Sequence, residues 1–325
     1  MTGHGSRWTS SRSCPCSDVA LEQSRAINYN KFTMYNHIAA NRNRTIFLMV
    51  IFFTFFVLLG LALSYYLNDQ SILWFAVIFS VFMNWFSYFY SDSIALRATG
   101  ARPAKKDVHI EERQLINLVD NLAITAGLPA PRVYVIDDPS PNAFATGRNP
   151  KHATVTVTTG LMTLLDKSEI EGVIAHELSH VKNYDILLST IVVTLVGAIT
   201  LLGDMFVRTN LFRSSGENHK NNPMAILALV FIILSPLFAQ LIQLAVSRKR
   251  EFLADASGSL LTRYPEGLAS ALEKIEQAHI PLKRANRATA HLFIANPFTK
   301  VKMASLFSTH PPTSERIKAL REMNL

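Results

Sequence analysis

Long apolar runs alternate with mixed polar segments, and this alternation divides the chain. Thr45–Leu67 reads TIFLMVIFFTFFVLLGLALSYYL without a charge, long enough as a helix to cross roughly 30 Å of hydrocarbon. Ser71–Tyr90 is a second such run, with Trp74, Trp85, Tyr88 and Tyr90 where interfacial aromatics sit. Only Asn68, Asp69 and Gln70 separate them, which predicts a tight hairpin across a bilayer. Ile186–Leu202 and Met224–Val246 form another pair around a polar loop holding Arg208, Arg213 and Lys220. The first of these is short for a span, so a hairpin that dips into the membrane or packs on the soluble part stands beside full crossing. Residues 1–44, rich in Ser, Asn and Arg without apolar periodicity, read as a disordered tail. The pattern therefore gives a tail (1–44), a membrane hairpin (45–90), a soluble part (91–185), a second hairpin (186–246) and a second soluble part (247–325).

Inside the soluble parts the period changes. Glu111–Ala126 carries Leu115, Leu118, Val119, Leu122 and Ala126 at helical spacing and stops at Gly127, predicting an amphipathic helix on a core. Arg132–Ile136 and Ala153–Thr159 alternate and are rich in Val and Thr, as strands are. Between them Pro141–Gly147 reads either as a connecting loop or as an exposed strand edge, to which an extended peptide could add itself. Leu268, Leu272 and Ile275 mark one face of a later helix, and a last helix starts near Thr313. The expected class is α+β, mainly helical, a multi-span membrane protein with a small β-sheet.

Composition agrees. The chain is 49% hydrophobic and 17% charged with a mean hydropathy of +0.18, too apolar for an ordinary soluble enzyme of 325 residues. A net charge of +8 and a pI near 9.5 raise nucleic acid as a partner. The basic residues, however, lie beside the apolar runs, which fits the anionic surface of a lipid bilayer and argues for no nucleic acid. Lys31, Arg42 and Arg44 precede the first hairpin, Arg97, Arg102, Lys105 and Lys106 follow it, and its connector has none, so both ends should face the cytoplasm. The two cysteines, Cys14 and Cys16, are in the tail, which excludes a disulfide framework or a Cys-ligated zinc in the body.

The chemistry concentrates in Glu169–Asp185, EIEGVIAHELSHVKNYD. His176 and His180, four apart on a helix, share a face and can reach one metal, while Glu177 sits beside it without binding: the pattern H-E-x-x-H. Zinc held by three protein groups lowers the pKa of its fourth ligand, water, from about 15.7 to about 7, and a neighbouring carboxylate can take the proton. Amide hydrolysis is the reaction these residues predict. Ser168 and Glu171 suggest a capping box for the helix. A third ligand must come from elsewhere, and Glu251 is the choice, with Asp255 one turn on to orient a ligating His. If the helices continue unbroken into the apolar runs, His180 and Glu251 stand roughly 9 and 7.5 Å above the membrane boundary on the same side. His310, held by Pro311 and Pro312, could donate to a developing oxyanion. A silent zinc-binding scaffold and a zinc transporter are the rival readings; the intact base argues against the first, and spans almost without ionisable groups argue against the second.

With PNAFATG at Pro141–Gly147, AHELSH at Ala175–His180, SRKREFLADA at Ser247–Ala256 and STHPPTSERI at Ser308–Ile317, in that order among apolar runs, the chain resembles the HtpX membrane metallopeptidases, relatives of the CAAX prenyl endopeptidases. The resemblance runs from about Met34 to the C-terminus and implies a zincin-like catalytic domain holding one Zn²⁺. It implies metal ligands His176, His180 and Glu251, a base Glu177 and a supporting Asp255. It also implies substrate or oxyanion contacts at Asn142, Ala143, Phe144, His310 and Arg316. Function, by the same resemblance, is cleavage of damaged or misfolded membrane proteins at the bacterial inner membrane, with the catalytic domain in the cytoplasm. Unfolded or membrane protein substrates are the expected partners; nothing in the residues sets an oligomeric state.

Overall fold

The computed structural model describes residues 15–107, 109–213, 248–283, 289–295 and 311–323. The apolar run Met224–Val246 and the candidate His310 lie outside them. Up to Ala40 the chain forms a unit of its own, and Asn41–Leu325 forms the other.

Helix α1 runs from Pro15 to Leu67 and α2 from Ser71 to Thr99. Ile38–Leu67 and Ser71–Thr99 are both long and apolar enough to cross a membrane, and Asn68, with φ at +52°, turns the chain between them. Of the segment read as a disordered tail, the part from Pro15 onward belongs to α1. The physical reason is that residues 16–44 contain neither Pro nor Gly, so nothing stops a helix from propagating back to a proline, which is well placed at a first helical position.

The sheet follows: β1 (Arg102–Pro103), β2 (Arg132–Ile136), β3 (Ala143–Thr146) and β4 (Thr154–Thr158), ordered β1-β2-β4-β3. β2 and β4 are parallel, and the other two pairings are antiparallel. Strand alternation sends Ala143, Ala145, Val155 and Val157 into a core shared with α3 (Ile110–Ala126) and α5 (Lys167–Lys182). Phe144 points the other way, into a cluster with the end of α2, Val193 and Phe293. Thus Pro141–Gly147 contains a strand, at the edge of the sheet. The short α4 (Thr159–Leu164) leads to α5.

The capping box of α5 lies two residues earlier than the sequence suggested. Asp166 accepts from the Glu169 amide at 3.0 Å and Glu169 accepts from the Asp166 amide at 2.9 Å, while Ser168 bonds to Asp166. Glu169 is also held by Ser270 and Lys274 of α8 (Pro265–Ala278), which ties the start of α5 to its neighbour. At its other end α5 stops: Tyr184 takes φ +60°, and α6 (Asp185–Arg213) leaves at 83°. The straight continuation assumed for His180 is therefore wrong. The bend lays the first part of α6 against α1, where Leu188, Ile191, Val192 and Leu195 bury against Leu48, Phe52 and Phe56. After residue 247 come α7 (Arg248–Thr262), α8 and α9 (Thr313–Arg321).

Candidate active site

Helix α5 places His176 and His180 one turn apart, with their Nε2 atoms 3.2 Å from each other. Helix α7 crosses α5 at Gly258, where a Cβ would fall 2.9 Å from the His176 amide nitrogen, so only glycine allows this approach. Two turns earlier on α7 Glu251 enters the same point: its carboxylate oxygens lie 3.7 Å from His176 Nε2 and 3.7 Å from His180 Nε2. The donor atoms of His176, His180 and Glu251 all lie within 4.8 Å of one another.

The second nitrogen of each imidazole is engaged. His176 Nδ1 sits 2.9 Å from Asp255, and His180 Nδ1 sits 2.9 Å from Asp185. A carboxylate accepts only, so each Nδ1 donates its proton outward and each Nε2 faces inward. Two imidazole nitrogens 3.2 Å apart and a carboxylate, with His176 and Glu251 buried and His180 partly exposed, call for a cation between them. Two nitrogens and one oxygen at this spacing could hold a metal ion.

Each supporting carboxylate has its own cation. Arg316, 2% exposed, grips Asp255 with two bonds of 2.8 and 2.6 Å. Burial alone would raise the Asp255 carboxyl, but Arg316 and His176 outweigh it and hold the pKa at about 2. Asp185 takes Arg250 at 3.2 Å and Asn41 at 2.6 Å on one oxygen. Burial pushes His180 down, and Asp185, Glu251 and Glu177 together push it up to about 9. The site is thus strongly negative and attracts either a proton or a metal ion.

Glu177, 3% exposed, faces a narrow cleft together with His180, Glu251, Arg250, Ala145 and His291. A volume near 40 Å³ gives room for an ion and a few waters. A peptide has to lie across its mouth.

Some proposed substrate contacts are placed elsewhere. Asn142 is 1% exposed, its amide donating to the Ala295 carbonyl at 3.0 Å and accepting from the Ala295 amide at 3.2 Å. The Ala143 carbonyl accepts from Ile294, and Phe144 is fully buried edge-on against Phe293. The chain's own residues 294–295 therefore cover that end of the strand edge. Arg316 is committed to Asp255 rather than turned toward the cleft. Among residues the sequence reading missed, Asp185 could have been found as an acid five positions after His180, at the foot of an apolar run. Arg250, Asn41 and His291 carry no such local mark, because only folding brings them there.

The chain matches known proteins along most of its length. The model of Peptidase family M48 matches residues 109–324. A "Protease HtpX homolog" of Dictyoglomus thermophilum is 47% identical over 293 residues, covering 90% of this chain and 95% of its own. One from Tropheryma whipplei (strain Twist) is 46% identical over 293 residues, covering 89% and 98%. Among solved structures, S. mikatae Ste24p aligns with a TM-score of 0.47 at 19% identity, over 88% of this chain and 67% of that one.

Proposed function

The chain belongs to peptidase family M48 as an HtpX homologue and is a membrane metalloprotease, and from that premise we propose a zinc-dependent endopeptidase that cuts damaged or misfolded membrane proteins at the cytoplasmic face of the bacterial inner membrane. The observation that carries this reading is the convergence of His176, His180 and Glu251 on one buried point beside Glu177.

His176, His180 and Glu251 would hold the metal, and Asp255 and Asp185, by accepting from Nδ1, turn both Nε2 atoms toward it. Zinc, when bound, supplies Lewis acidity that makes water a competent nucleophile near neutral pH. The Glu177 carboxylate takes the proton from the attacking water as the new carbon–oxygen bond forms at the scissile carbonyl. It then delivers that proton to the departing amine nitrogen as the carbon–nitrogen bond breaks. The peptide backbone lies along β3 at Ala145, which lines the cleft. Ala145 points its main chain the same way as Ala143, two residues before, whose carbonyl reaches outward to Ile294. Substrate thus adds to the part of the strand edge next to the metal, while residues 294–295 hold the far part.

Glu177→Gln tests the assignment: the purified variant should keep one zinc per chain by elemental analysis and cleave an unfolded membrane substrate about 100-fold more slowly or worse. Full activity would refute the role of Glu177.

A further inference from the structure

The two imidazoles are oriented by networks of different origin. Asp255 and Arg316, which fix His176, come from α7 and α9, both outside the apolar helices. Asp185, which fixes His180, is itself held by Asn41, three residues into the apolar stretch Ile38–Leu67 of α1.

Asn41 is an unusual residue for that place. It is 3% exposed at the start of a membrane-length helix, where a buried polar side chain is costly unless both its hydrogens find acceptors. Both do. Its Nδ2 donates to Asp185 Oδ1 at 2.6 Å and to the main-chain carbonyl of Asn183 at 3.0 Å. These are the two residues flanking Tyr184, the φ +60° pivot where α5 ends and α6 begins. One amide thus closes the bend and presents the Asp185 carboxylate, whose other oxygen receives His180 Nδ1 at 2.9 Å. Arg250 reaches the same Oδ1 at 3.2 Å from the position next to Glu251. Charge alone cannot aim Asp185, because Arg250 meets it with a single contact; the short Asn41 bond supplies the second direction.

We propose that Asn41 is a positioning residue for the metal centre, through Asp185 and His180, so that the ligand set is complete only while the first membrane helix is seated against the α5–α6 bend. The proposal rests on His180 being a metal ligand. It makes the protease conditional on its own membrane helix: a catalytic part that loses contact with α1 keeps the His176 half of the site and loses the His180 half.

The test uses the full chain in detergent micelles, with Asn41→Ala, Asn41→Gln and His180→Ala beside the unaltered protein. Three properties are read: zinc affinity by chelator competition, the visible absorption spectrum with Co²⁺ in place of zinc, and thermal melting followed by helix content. Asn41→Ala should bind zinc about 10- to 100-fold more weakly and change the cobalt spectrum, because the supporting partner of a ligand is lost. Its melt should stay close to that of the unaltered chain, since alanine favours the helix. Asn41→Gln, which keeps the amide, should recover part of both losses. Unchanged affinity and spectrum in Asn41→Ala, with binding abolished in His180→Ala, would overturn the proposal and leave the ligand assignment standing. A collapsed melt in Asn41→Ala beside a normal Asn41→Gln would also overturn it, by making Asn41 a determinant of the fold. Unchanged zinc affinity in His180→Ala would remove the ligand reading and this inference with it.

Discussion

At the scale of single residues, Asp255, Asp185 and Glu251 are each matched by a cation or an imidazole. Asp255 is 3% exposed and would be costly there as an unpaired charge; Arg316 turns that cost into a fixed orientation for His176. The sign of its pH dependence follows from a pKa held at about 2, below the ordinary carboxylate value. The stability that ionised Asp255 contributes is present above about pH 4 and is lost as pH falls through about 2. Arg316→Met leaves the carboxyl to burial, which raises it. The acid limb of stability should therefore move to higher pH, with about 3–5 kcal/mol lost near neutrality, measured by melts from pH 7 down to 2. An acid limb that stays where it is would show that Arg316 does not set the state of Asp255.

At the scale of elements, catalysis depends on how closely helices approach. Gly258 of α7 lies against the backbone of α5 at His176, and Gly172 of α5 lies against the backbone of α8 at Leu268. A methyl at Gly258 would push α7 outward, and Glu251, two turns away on the same helix, would move with it. Gly258→Ala should lower zinc affinity by at least 10-fold and the melting temperature by several degrees, even though it touches no ligand. Chelator competition and thermal melts check both; wild-type affinity would mean that the crossing has slack. The bend after α5 is the second element-scale device. Had α5 run on into α6, Asp185 would lie on a continuous helix, five residues beyond His180. The φ +60° at Tyr184 instead folds it back to 2.9 Å from His180 Nδ1.

At the scale of the whole molecule, the candidate metal site sits beside the membrane-length helices rather than on a long stalk. The first part of α6 packs on α1, and Asn41 of α1 touches Asp185 directly. The cleft therefore lies beside the point where α1 enters its apolar stretch. The proposed orientation has a direct measurement. With Cys14 and Cys16 replaced by Ser, a single cysteine at Lys105 should react with a membrane-impermeant maleimide in inverted vesicles and stay protected in intact spheroplasts. Labelling in spheroplasts would place this end of the hairpin, and the site with it, on the outer side.

Much of the protein is written locally. Apolar runs determine the membrane helices because every backbone group in hydrocarbon must be satisfied within its own helix, and H-E-x-x-H determines two donors because helical spacing alone puts them on one face. The alternation in Arg132–Ile136 and Ala153–Thr159 likewise marked two strands. What only the tertiary structure decided are meetings between segments distant in sequence: Arg316 with Asp255, residues 294–295 along the edge at Asn142, and Asn41 with Asp185 across 144 positions. Helical and strand periods report which face a residue takes, since that is fixed by backbone geometry within a few residues. They carry no information about which remote side chain will lie opposite, because that depends on a bend at one tyrosine and a crossing at one glycine.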